Sequence, residues 1–140
     1  MNQPDLRYWL ALNLLLPLLS SRNPTPSGYE ITHAFAMQLA KTGFVITSGK
    51  AIGIDGAAHR GVLQAGCKTV AVTGSGLDRV SPARHKELAE KIKKTGLLIS
   101  EFPLGTAPIG SNFPMRNRII SGLSHGVLIV EAVCNCIAVP

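Results

Sequence analysis

Four short apolar runs alternate with amphipathic segments, and this alternation constrains the fold more than any other feature of the sequence. The runs are Phe44–Thr47, Thr69–Thr73, Leu97–Ser100 and Val127–Val130. A strand with one wet face alternates apolar and polar residues, whereas one covered on both faces reads as a continuous apolar run. The intervening segments carry the helical period. Ile31, Ala34, Phe35 and Leu39 fall on one face, interrupted by Gln38, and Gly43 follows as a terminator. Asp55 is placed to cap a helix carrying Ala58, Val62 and Leu63 that stops near Gly66. A helix over Ala83–Lys94 turns Leu88, Ala89 and Ile92 inward, and its Glu87–Lys91 and Glu90–Lys94 spacings mark a solvated face. The pattern predicts an α/β fold, with a mostly parallel sheet and helices on both faces.

The bulk numbers bound the partners. One domain with a real core fits 140 residues, and 46% hydrophobic against 16% charged excludes a disordered chain. The net charge of +6 suits an anionic partner. Cys67, Cys134 and Cys136 lack metal-ligand spacing and the four histidines are scattered, so no metal is expected and a reduced cytoplasm fits. The apolar stretch Leu10–Leu19 is too short to span a bilayer, and no basic cluster precedes it as in a signal peptide. Two parts differ in character: a Leu-rich, initially helical segment over residues 1–20, ended or bent at Pro17, and a domain over 21–140.

In open α/β sheets ligands bind beyond the carboxyl ends of the strands. The small, polar and basic residues follow the strands here: Ser48-Gly49-Lys50, Gly74-Ser75-Gly76, Glu101-Phe102 and the loop leading to Phe113. Asn112-Phe113-Pro114-Met115-Arg116-Asn117-Arg118 then opens a helix continued by Ile119, Ile120 and Leu123. Arginines at a helix start oppose its dipole, which an anion would explain. The plainer alternative makes Phe113 core and pairs the arginines with Glu101 or Glu131. Phosphate binding fits Gly49, Gly53, Gly74 and Gly76, which allow close backbone approach, with Lys50, Arg84, Arg116 and Arg118 as counter-charge and Phe113 as a stacking surface. Such a groove suits single-stranded nucleic acid.

Other chemistries find less support. Gly74-Ser75-Gly76-Leu77-Asp78-Arg79 has Arg79 where a dinucleotide fingerprint needs its third glycine, and no Gly-Lys-Ser/Thr phosphate loop occurs. No cofactor is expected. Ser48, Ser75, His59 and Asp55 qualify for nucleophilic catalysis by residue type alone, with an N-cap for Asp55 and a solvated or core position for His59 as the plainer roles.

Taken in order, Ser21-Arg22-Asn23-Pro24-Thr25, the stretch Ser48 to His59, Ala71 to Asp78, Ser100-Glu101-Phe102-Pro103 and Phe113 to Ser124 resemble the DNA-processing protein DprA/Smf family. Arg7-Tyr8-Trp9-Leu10-Ala11-Leu12 also resembles the start of that family's N-terminal helical domain. The resemblance implies a Rossmann-like, non-enzymatic domain that binds single-stranded DNA and helps load RecA in natural transformation, with homodimers as the usual assembly. It matches Ser21 and Arg22 to the family's Gly-Ser-Arg phosphate site and Phe113 to an aromatic of the DNA pocket. Arg116, Asn117 and Arg118 fall in the adjoining motif, and Arg84 in the basic loop.

The departures set further expectations. Ser20 replaces a glycine of the family, and Lys50 and Ile52 replace its Leu and Arg/Lys, which moves or removes one basic group. Measured against the family, the chain reads as a shortened member, without most of the helical domain and without the C-terminal part beyond Ala138-Val139-Pro140. The sheet is then expected to be incomplete at its first strand, supplied imperfectly by Leu14–Leu19, and at its last. In the family the C-terminal part contributes to dimer and RecA contacts, so those two properties stay open. Two alternatives stand beside DNA binding: a nucleotide or nucleoside-phosphate hydrolase with Glu101 or Glu131 as acid or base, and an inactive remnant.

Overall fold

The computed structural model describes residues 15–19, 23–49, 53–80, 83–126 and 128–130. Five parallel strands form one sheet in the order β4-β3-β2-β1-β5. They are β1 (Leu15–Leu19), β2 (Val45–Ser48), β3 (Thr69–Val72), β4 (Leu97–Ile99) and β5 (Leu128–Ile129). The helices between them are α1 (Pro26–Lys41), α2 (Ile54–Gln64), α3 (Lys86–Thr95) and α4 (Asn112–Gly122). Successive strands add to one edge as far as β4, and the chain then crosses back to pair β5 with β1. Right-handed crossovers in both directions place α1, α2 and α3 on one face and α4 on the other. The contacts agree, α1 packing on α2, α2 on α3, and α4 against β3. This is the Rossmann-like arrangement, with helices on both faces.

Every residue of β2 and β3 is buried, as continuous apolar runs require. Ile46 meets Ala36, Ala40, Ala58 and Val62 on the helical side, while Val45, Val70 and Leu97 pack with Leu123 on the α4 side. A fully buried isoleucine such as Ile46 contributes about 1.5–3 kcal/mol. The strand threonines are satisfied across the sheet: Thr47 Oγ1 donates to the Val70 carbonyl at 3.2 Å, and Thr69 Oγ1 to that of Ile46 at 2.8 Å.

The stretch expected to supply a first strand imperfectly forms β1 over five residues, between β2 and β5. The sheet thus begins before residue 20, where the sequence reading ends its helical segment; residues 1–14 of that segment lie outside the described residues. Pro17 pairs with Thr47, and pairing with β5 begins only at Leu18. The proline therefore occupies a stretch flanked by one strand, the edge-like setting in which a sheet tolerates it. At the other end β5 is two residues long.

Helix α1 starts where local chemistry directs it: Thr25 Oγ1 accepts from Gly28 N at 3.0 Å, with Pro26 in the first turn. Its inward face differs from the expected one. Gly28, Thr32, Ala36 and Ala40 are buried, whereas Ile31 and Phe35 are 51% and 53% exposed and Ala34 is exposed as well. The reason lies across the interface. Gly61 of α2 comes so close that a Cβ there would sit 2.2 Å from the His33 carbonyl oxygen, a spacing that only small residues allow. Leu39 alone of the expected set packs against the core, and it is partly buried. Two smaller corrections concern the other helices. Gly53, at φ 95°, is the N-cap of α2, and Asp55 lies in its first turn. On α3 the Glu87–Lys91 pair forms at 2.7 Å, but Glu90 pairs with Lys93, not Lys94, at 3.0 Å.

Candidate nucleic-acid interface

Parallel strands deliver their carboxyl ends to one rim, where the loops after β2, β3 and β4 meet. Thr73 N donates to the Ile99 carbonyl at 2.8 Å, extending the β3–β4 ladder outward. Ser100 Oγ donates to the Ser75 carbonyl at 2.8 Å and accepts from Phe102 N at 3.0 Å, tying the two loops together. Gly76 N donates to Thr106 O at 3.1 Å, and Asp78 Oδ1 accepts from Gly105 N at 2.8 Å. A side chain at Gly76 would place its Cβ 2.7 Å from the Pro103 carbonyl oxygen, so the loop closes only on glycine.

Helix α4 is fastened to this rim by polar groups. The buried Asn112 donates through Nδ2 to Gly74 O at 3.0 Å and Ala107 O at 3.3 Å. Arg116 is 4% exposed; its Nη1 donates to the Val72 carbonyl at 2.6 Å and to the Gly49 carbonyl, and its Nε to Asn117 Oδ1 at 3.1 Å. One guanidinium thus joins the ends of β2 and β3. Such charge-assisted bonds contribute about 1.5–3 kcal/mol each, and the carbonyls they satisfy would otherwise be buried acceptors. Gly49 makes room for it, since a Cβ at that position would lie 2.4 Å from the guanidinium carbon.

Phe113 is half-buried. Its ring rests on Gly74, where a Cβ would be 3.0 Å from Cδ1, and its centroid lies 5.7 Å from the Arg116 guanidinium carbon. That spacing is within cation–π range. Arg118 is exposed and forms an ion pair with Glu101, the pairing that the plainer sequence reading allowed. Gly49 and Gly74, read in sequence as openings for a phosphate, make room for Arg116 and Phe113.

The structure therefore brings Phe113, Arg116, Asn117 and Arg118 together on α4 against the rim, with Gly53 at the start of α2 after the β2 loop. It does not bring Arg84 there: that side chain lines a groove among the other three helices, with His33, Arg60 and Lys91. Ser21, Arg22 and Lys50 lie outside the described residues. Sequence reasoning missed Asn112 as an anchor; its position at the start of the helix, two residues after a glycine, was the available signal. It also missed that Arg116 serves carbonyls, because the apolar pattern of that helix does not mark the fifth position as inward. His59 is a core residue, its Nδ1 2.8 Å from Thr69 Oγ1. Because that hydroxyl already donates to Ile46 O, Nδ1 is the protonated nitrogen. Among the described residues no cluster of three or more His, Cys, Asp or Glu could hold a metal, and no helix is long and apolar enough to cross a membrane.

The family described as DNA recombination-mediator protein A matches residues 12–136. The chain belongs to this family, DprA/Smf. Protein Smf of Escherichia coli is 48% identical over 118 residues, which cover 84% of this chain and 32% of that protein. The chain spans between 29% and 38% of the length of the first relatives it matches. Two DprA structures superpose closely. That of Streptococcus pneumoniae has a TM-score of 0.81 at 38% identity, covering 89% of this chain and 44% of its own. That of Helicobacter pylori DprA, described for its single-stranded DNA binding mode, has a TM-score of 0.82 at 34% identity, covering 91% of this chain and 58% of its own.

Proposed function

We propose that this DprA/Smf domain binds single-stranded DNA along the carboxyl rim of its sheet, as a binding module without a catalytic step. The observation that carries the reading is Phe113. A half-exposed aromatic ring is held in place by a buried arginine and a glycine at the edge of a polar, glycine-lined rim. A base has a π-face to offer such a ring whatever its identity, so affinity comes with little sequence preference. Arg116 fixes the platform from beneath, Asn112 anchors the helix that carries it, and Arg118 and Asn117 stand on the same helix to meet phosphate. Ser21, Arg22 and Lys50 complete the site in this reading, with the Gly53 turn allowing close approach of the backbone. In the cell the domain would act in the cytoplasm, in DNA uptake and recombination, passing the strand to RecA and working as a homodimer.

Fluorescence anisotropy with single- and double-stranded oligonucleotides at two salt concentrations tests the reading. The expected result is preference for the single strand and affinity that falls with salt, as counterion release demands. Arg22→Ala should weaken it further. Salt-insensitive binding, or equal affinity for the duplex, would overturn the proposal, and turnover of nucleoside monophosphates would replace it with the hydrolase.

A further inference from the structure

A groove of about 480 Å³ lies among α1, α2 and α3, on the face of the sheet opposite α4. Leu63 and Leu88 give it apolar surface, and Arg60, Arg84 and Lys91 line it with three cations against the one carboxylate of Glu87, beside His33 and Gln64. Lys91 is matched by Glu87 at 2.7 Å. Arg60 and Arg84 are exposed, and among the described residues neither has a carboxylate within ion-pair distance. Arg60 instead donates through Nη1 to the Tyr29 hydroxyl at 3.4 Å, a neutral partner. The field of these cations shows on Glu87, whose carboxyl is held below its ordinary range by the hydrogen bond and charge of Lys91, with a smaller effect from Arg60. Packing fixes the cluster. Gly56 has no room for a side chain, because a Cβ would sit 2.8 Å from His85 Cε1 and 3.1 Å from Arg60 Nη1.

We infer that this groove is a second track for the sugar–phosphate backbone of a single strand, entered as the strand leaves the rim. Arg84 stands in the short turn Ala83–His85, which follows the rim loop after β3 in sequence and leads into the first turn of α3, at the end of that helix nearer the carboxyl ends of the strands. An excess of cations beside apolar side chains suits a phosphodiester chain, whose charge meets Arg60 and Arg84 while its sugars lie on Leu63 and Leu88. The inference rests on the rim reading for the strand's point of entry.

The test is amide NMR of the isotopically labelled full chain, titrated with a short oligothymidylate that fills the rim alone and with a longer one. The longer strand is expected to shift the amides of Arg60, Gln64, Arg84, Glu87 and Lys91 as well as those of the rim; the short one should shift the rim alone. Arg60→Gln with Arg84→Gln, both exposed positions, should lower the log–log salt slope for the longer strand by about 1.4, the release expected for two phosphates of a single strand. Rim shifts without groove shifts, or an unchanged salt slope, would overturn the second track and leave the rim reading intact. Groove shifts without rim shifts would retain the track and overturn the rim reading.

Discussion

The two faces of this sheet are held by different physics. On one, α1 and α2 meet through Gly28, Thr32, Ala36, Ala40 and Gly61, and the helices close until the backbone of one touches the other. On the other, α4 is tethered by Arg116, which reaches the carbonyls of Gly49 and Val72 at the ends of β2 and β3, and by Asn112, which reaches those of Gly74 and Ala107 in the loops. The first contact is short-ranged and made mostly by small side chains. The second consists of directed bonds to strand ends, and it leaves Phe113, Met115 and Arg118 facing outward from the same helix. The helical layer gives the fold its rigidity, and the polar tether gives the rim its shape.

Substitutions that act on one face alone separate these roles. Gly61→Val forces a side chain into the His33 backbone and should cost about 3 kcal/mol in urea denaturation, with binding per folded molecule unchanged. Arg116→Met strands two carbonyls and should cost about 2 kcal/mol, but it should also reduce DNA affinity by loosening Phe113. If binding survived that change intact, the claimed dependence of rim shape on the tether would fail. Phe113→Ala should leave the melting temperature nearly unchanged while weakening single-strand binding roughly tenfold, the loss expected for one stacked base. Glu101→Gln releases Arg118 from its ion pair, and titration should show binding tightened about two- to fivefold. Smallest of all, Phe35→Ala should alter stability by no more than about 0.5 kcal/mol, since the ring is exposed. A larger loss would restore the large apolar residues of α1 to the core.

Strand positions were the most legible part of the fold. The described strands after β1 fall on the expected runs, β2 reaching one residue beyond its own to Ser48, because residues buried on both faces are mostly apolar without interruption. The facing of α1 was not legible. Hydrophobic periodicity gives most weight to large side chains, and Ile31 and Phe35 dominate that signal, whereas the real interface is selected by how near two backbones can come. The rim divides in the same way. The strand-end position of Phe113 and Arg116 followed from the order of runs and helices. The inward turn of Arg116 did not, because a buried guanidinium is set by partners distant in sequence, here Gly49 and Val72. Arg84 shows the limit from the other side. Its place after the β3 loop suggested the rim, yet the turn at Ala83–His85 carries it over to the opposite helices.

The position of β1 between β2 and β5 also bears on the order of assembly. From β1 to β4 each strand pairs with its immediate predecessor, so every closure there spans a single connecting helix. Pairing of Leu18 and Leu19 with Leu128 and Ile129 must instead wait until everything from β2 to α4 has left the ribosome. Loop-closure entropy opposes that step most, and among the described residues two pairs reward it. The amides of Leu128 and Ile129 should therefore be the last to gain protection in pulse-labelled hydrogen exchange. Until they do, one side of β1 remains an unpaired edge, open to pairing with another chain.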